Sequence, residues 1–81
     1  MEYCVVIIKN EENGRFNAFA PDLAIFAEGA SVETALAEVS ERIKQFITIC
    51  KDISAEIPQP TPKEQIEQKW QGFALEKVVV Q

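Results

Sequence analysis

Few residues in this chain of 81 could do covalent chemistry, and their types narrow the choice quickly. There is no histidine, which removes the commonest general base and the commonest metal ligand. Ser31, Ser40 and Ser54 therefore have no imidazole to activate them, and a Ser-His-Asp triad is excluded. Cys4 and Cys50 lie far apart, match no metal-binding spacing, and read as two reduced, buried thiols acting as small hydrophobes. What remains is carboxylate. The stretch APDLAIFAEGAS, residues 20–31, carries Asp22 and Glu28 on either side of a short apolar run. Paired acids could hold two metal ions for phosphodiester hydrolysis, but that chemistry needs several carboxylates converging from neighbouring elements. The first apolar run, YCVVIIK, has no acid inside it, with Glu2 before and Glu11 after, and Glu76 stands alone near the end. Asp22 follows a proline, where Asp is a common turn residue. Glu28 ends an apolar segment, where solvation accounts for a charge. The expected catalytic, cofactor-binding and metal-binding residues are none.

The elements that position these groups follow from periodicity. Residues 3–9 are rich in β-branched types and apolar on both alternating faces, which predicts a central strand covered on both sides. Asn13-Gly14 signals a hairpin, residues 15–20 a returning strand, and residues 24–28 a third after the Pro21-Asp22 break. Ser31 suits an N-cap. Val32, Ala35, Leu36, Val39, Ile43, Phe46, Ile47, Cys50 and Ile53 then recur at the three-and-four spacing of one helix face. That predicts a helix over roughly 31–53, about 30 Å long at 1.5 Å per residue. IPQPTP, residues 57–62, is an extended breaker. Thr61, Pro62 and Glu64 predict a capping box that starts a short helix, ended by Gly72. Residues 73–80 read as a last strand.

The expected fold class is α+β, in the order β-β-β-α-(short α)-β, with one long helix on one face of a four-stranded mixed sheet. A right-handed crossover through the long helix would set the last strand parallel to the first. The expected organisation is one domain over residues 1–81. A single helix covers only one sheet face, so the other needs a cover. Ile66 and Trp70 on the short helix, and Val78 and Val80 on the last strand, are the candidate self-association residues, and a homodimer or higher oligomer is expected.

The totals set limits on partners. A net charge of −5 argues against direct nucleic-acid binding, which needs clustered Lys and Arg, and favours a basic protein partner. No run approaches the roughly 20 apolar residues of a membrane span, and the N-terminus shows no signal-peptide pattern, so a cytoplasmic location and no membrane partner are expected.

In this order, several pieces together resemble the N-terminal domain of HicB-type antitoxins. They are the Tyr-led strand YCVVIIK, the acidic hairpin NEENGRF, Pro21-Asp22-Leu23, Gly29, the helix opening with Glu33 and Ala35, and Ile57-Pro58-Gln59-Pro60. Two places depart from that pattern: Ala24, Ile25 and Phe26 stand where relatives usually have Pro-Gly-Cys, and Gly29-Ala30-Ser31 where they have Gly-Asp-Thr. Many relatives also continue into a C-terminal DNA-binding segment; with the last strand expected over residues 73–80 of 81, DNA binding through such a segment is not expected here. The resemblance implies a partial ribonuclease-H-like fold without nuclease activity. It also implies a binding role, masking the active site of a small basic ribonuclease toxin of the HicA type. Glu11, Glu12, Asp22 and Glu28 are then the candidate partner contacts. The alternative is a self-associating structural or regulatory orphan of the same fold with no toxin partner.

Overall fold

The computed structural model describes residues 1–80. Its elements are β1 (Glu2–Lys9), β2 (Phe16–Ala20), β3 (Ile25–Gly29), α1 (Val32–Asp52), α2 (Lys63–Lys69) and β4 (Ala74–Val79). The sheet order is β3-β2-β1-β4. As its sequence requires, β1 is interior and buried on both faces. Tyr3, Val5 and Ile7 join Ala18, Ala20, Ala27, Val78 and Val80 against the α1 stripe of Ala35, Val39, Ile43 and Ile47. Cys4 and Val6 face the other way, against Ile66.

The sheet is wholly antiparallel rather than mixed, with β4 pairing antiparallel to β1 from Glu2↔Val79 to Ile7↔Ala74. The expected parallel crossover fails because the chain traverses the sheet twice between β3 and β4. After β3, α1 carries it back over the first face. Residues 57–62 turn around the end, and α2 then carries it forward over the second face. So β4 starts at the far end, opposite Ile7. The second face is thus covered within the chain. Ile66 is buried there, and Trp70, Ile8 and Leu75 pack at its margin.

Local signals explain the boundaries. Ser31 caps α1, its Oγ accepting from the Thr34 backbone N–H at 3.1 Å. Gly29 is required by a close approach: a Cβ there would meet the Ala35 backbone nitrogen at 2.5 Å, so α1 could not pack this near β3. The β1–β2 connection is longer than a two-residue hairpin. The Gly14 N–H donates to the Asn10 carbonyl at 2.8 Å, with Gly14 at φ +70°. The expected capping box at α2 does not form. The helix begins at Lys63 behind Pro62 with no side-chain cap, because Thr61 is engaged elsewhere. Phe46 is only half-buried at the edge of the α1 stripe. No helix among the described residues is long and apolar enough to cross a membrane.

Candidate functional site

The two acids of the 20–31 stretch have separate structural partners. Asp22 accepts hydrogen bonds from the Thr61 backbone N–H at 2.8 Å and the Thr61 hydroxyl at 2.5 Å. This clamps the turn after β2 to the segment entering α2. Beside it, the Tyr3 hydroxyl donates to the Pro58 carbonyl at 2.6 Å, and burial holds its pKa above the usual phenol value. Glu28 pairs with Arg15 Nε at 2.6 Å across the β2–β3 ladder, both side chains exposed. Asp22 lies at one end of the sheet and Glu28 near the other, so they share no metal or substrate atom. Among the described residues no group of three or more His, Cys, Asp or Glu could hold a metal ion. The thiols are free and buried. Burial pushes the Cys4 pKa up, which keeps it protonated and a poor nucleophile.

The remaining candidate contacts do gather. Glu11 and Glu12 are exposed at the β1–β2 tip, which Asn10 and Asn13 stiffen by accepting from the Glu12 and Arg15 backbone N–H groups at 2.9 Å each. Glu28 lies at the same end of the sheet, since Asn17↔Glu28 is one step from Phe16↔Gly29. Asp22 does not join them. Of the four residues expected to self-associate, Ile66, Val78 and Val80 are buried inside their own chain and Trp70 is half-buried.

The structure adds a row of aromatic rings that sequence reading missed. On the α2 face, Phe26 sits opposite Phe19 in the β2–β3 register. Phe19 meets Trp70 edge-on at 5.7 Å, and Trp70 meets Phe73 edge-on at 6.0 Å. Phe26 and Phe73, at the two ends of the row, are 58% and 45% exposed. The Trp70 indole N–H is buried without an acceptor among the described residues. The signal was present in the alternation: Asn17 and Phe19 in β2, and Phe26 and Glu28 in β3, share the face away from α1. Reading it needs the strand register and the position of Trp70, neither of which is local. Exposed carboxylates and exposed aromatic rings can each bind a partner's cationic side chains, the first by charge and the second by ring stacking.

No protein-family model matches the chain, and no significant relative is found among curated proteins. Solved structures do match. The N-terminal domain of Burkholderia pseudomallei antitoxin HicB superposes with a TM-score of 0.89 at 15% identity, covering 100% of this chain and 99% of that one. The Burkholderia pseudomallei antitoxin HicB superposes with a TM-score of 0.84 at 15% identity, covering 99% of this chain. This chain spans 63% of the length of that longer protein. The four antiparallel strands, the long helix and the short second helix therefore constitute the fold of the HicB antitoxin N-terminal domain.

Proposed function

We propose that the protein is a non-catalytic binding module of the antitoxin type, which neutralises a small basic ribonuclease toxin of the HicA kind by masking its active site. The observation that carries this reading is the fold likeness over the whole chain. The dispersal of the ionisable groups into structural roles agrees with a module that binds rather than reacts. In this reading Glu11, Glu12 and Glu28 meet the partner's lysines and arginines, and Phe26 and Phe73 offer rings for its guanidinium groups to stack on. Asp22 supports the surface through Thr61 and touches no partner. The decisive experiment is co-expression with a small basic HicA-type ribonuclease toxin from the same source, followed by calorimetry and an RNA-cleavage assay. The expected result is a stoichiometric complex without ribonuclease activity. E11K/E12K should weaken it at least tenfold, since each reversal removes an attraction and adds a repulsion, while Asp22→Asn should change affinity less than about threefold. A complex indifferent to E11K/E12K and to Phe26→Ala would move the interface elsewhere, and no complex at all would leave the self-associating orphan as the better reading.

A further inference from the structure

The second half of α1 carries an apolar strip that the core does not use. Ile49 is 57% exposed, and Ile53, the helix C-cap, is 69% exposed. Half-buried Phe46 continues the strip toward the helix N-terminus. At 3.6 residues per turn these three side chains lie within about 60° of one another and span about two turns. Single apolar residues are ordinary on a surface, but a row of them on one helix marks a contact. Directly after the helix comes an open cleft of about 680 Å³, lined by Ala55, Glu56, Ile57, Pro58 and Gln59.

The charges around the strip are one-sided. Lys44 and Lys51 lie roughly half a turn round the helix from it. Arg42, in line with it, is engaged by the Phe26 carbonyl at 2.7 Å and by Glu38 at 3.8 Å. At the other end Asp52 and Glu56 are exposed and have no ion pair among the described residues. Asp52 does not serve α1 itself, since a carboxylate in the last turn opposes the negative end of the helix dipole. The helix exit is fixed. The Ala55 N–H donates to the Cys50 carbonyl at 2.8 Å around Ser54 at φ +57°, a closure that holds Glu56 near the same end. An apolar row that ends in two unpaired carboxylates and a helix C-terminus complements a ligand that is apolar on one side and cationic at one end. The same carboxylates repel an anionic lipid surface.

We propose that this strip docks a basic amphipathic helix of a partner protein, with its apolar side chains on Ile49 and Ile53 and its Lys or Arg residues at Asp52 and Glu56. Two turns of exposed anchor match the i, i+3 or i+4, i+7 contacts of one helix laid along another. The site is remote from the acidic tip. Gly29 pairs with Phe16 at the tip end of the sheet, α1 starts just after it, and Ile49 lies about 25 Å further along the helix axis. It leaves the tip and the aromatic row free, so it does not depend on the toxin reading.

The test is fluorescence anisotropy of a labelled Leu/Lys peptide of about 18 residues, with leucines at three-and-four spacing, titrated with the full chain to about 100 μM. The expected result is saturable binding of one peptide per chain, at least about tenfold weaker for a scrambled peptide that cannot form an apolar face. I49Q/I53Q should weaken it about tenfold or more without altering charge. D52K/E56K should weaken it about fivefold or more and melt no lower than wild type, because Lys suits a helix C-terminus. E33K/E64K, an equal change in net charge elsewhere, should change affinity less than about twofold. No binding to about 100 μM overturns the proposal, and so does binding that survives I49Q/I53Q or falls equally with E33K/E64K. Attachment to phosphatidylcholine vesicles in place of the peptide, lost in I49Q/I53Q, overturns it in favour of a lipid surface. If I49Q/I53Q fails to fold, D52K/E56K against E33K/E64K decides: equal affinities overturn the proposal.

Discussion

On one face of the sheet a 21-residue helix closes over Tyr3, Val5 and Ile7 with an unbroken stripe of buried side chains. On the other a seven-residue helix, with no side-chain cap, covers Cys4 and Val6 with Ile66 and part of Trp70. The first cover carries its own periodicity, N-cap and glycine-permitted approach, so it is built to be stable. The second is held by few apolar contacts and by clamps at its entry, Thr61 to Asp22 and Pro58 to Tyr3. It is also the face that leaves Phe26 and Phe73 exposed. The larger buried core and the exposed aromatic rings are thus divided between the two sides of one sheet, and a short helix with few contacts is the segment expected to open first.

The largest effect should come from the thick face. Ile43 is fully buried under α1, and Ile43→Ala should cost about 2–5 kcal/mol, the range for a buried isoleucine whose site cannot collapse. Ile66→Ala should fall at or below the low end of that range, because the short helix can relax or detach. Urea melts give both numbers, and amide exchange shows whether the Ile66 variant frees α2 alone. Equal losses with one cooperative transition would mean that both faces belong to a single unit, and the contrast drawn above would fail.

Asp22→Ala tests the clamp that feeds the thin face. It leaves the Thr61 N–H and hydroxyl without their acceptor in a half-buried setting, for an expected loss of about 1–3 kcal/mol. Protease cleavage near residues 57–62 should accelerate while the α1 core stays protected. A variant with wild-type melting and wild-type cleavage would show that Asp22 is a solvated turn residue and no clamp.

What the sequence made legible divides along the same line. The Ser31 cap, the central β1 with two apolar faces and the α1 stripe from Ala35 to Cys50 are local patterns, and all of them appear in the structure, although Ile53, expected to continue the stripe, is exposed. The direction of β4 was not legible, since it depends on whether residues 57–72 form a second traverse, and that is decided by where Ile66 and Trp70 find apolar surface. Thr61 shows the same limit at one residue: its type and spacing fit a helix cap, yet a carboxylate 39 positions away takes its hydrogen bonds. The aromatic row was hidden because Phe19, Phe26, Trp70 and Phe73 come from separate segments and meet only through register.

The smallest effect should come from Trp70, where two terms oppose each other. Its indole stacks edge-on against Phe19 and Phe73, and edge-to-face pairs contribute about 0.5–1.5 kcal/mol beyond burial. Its N–H, however, is buried with no acceptor among the described residues, and an unsatisfied buried donor costs about 1–3 kcal/mol. Trp70→Phe removes the orphan donor and keeps a ring between the two phenylalanines, at the loss of some apolar area. The terms nearly cancel, so the net change should stay within about 1 kcal/mol of wild type. Trp70→Ala removes ring and donor together and should cost clearly more, because Phe19 and Phe73 then lose their shared neighbour. Chemical melts of the two variants side by side separate the terms. If Trp70→Phe destabilises as much as Trp70→Ala, the N–H has found an acceptor in solution and the thin face is better satisfied than its geometry shows. If both are neutral, the row is surface decoration, and its importance must be sought in partner affinity alone.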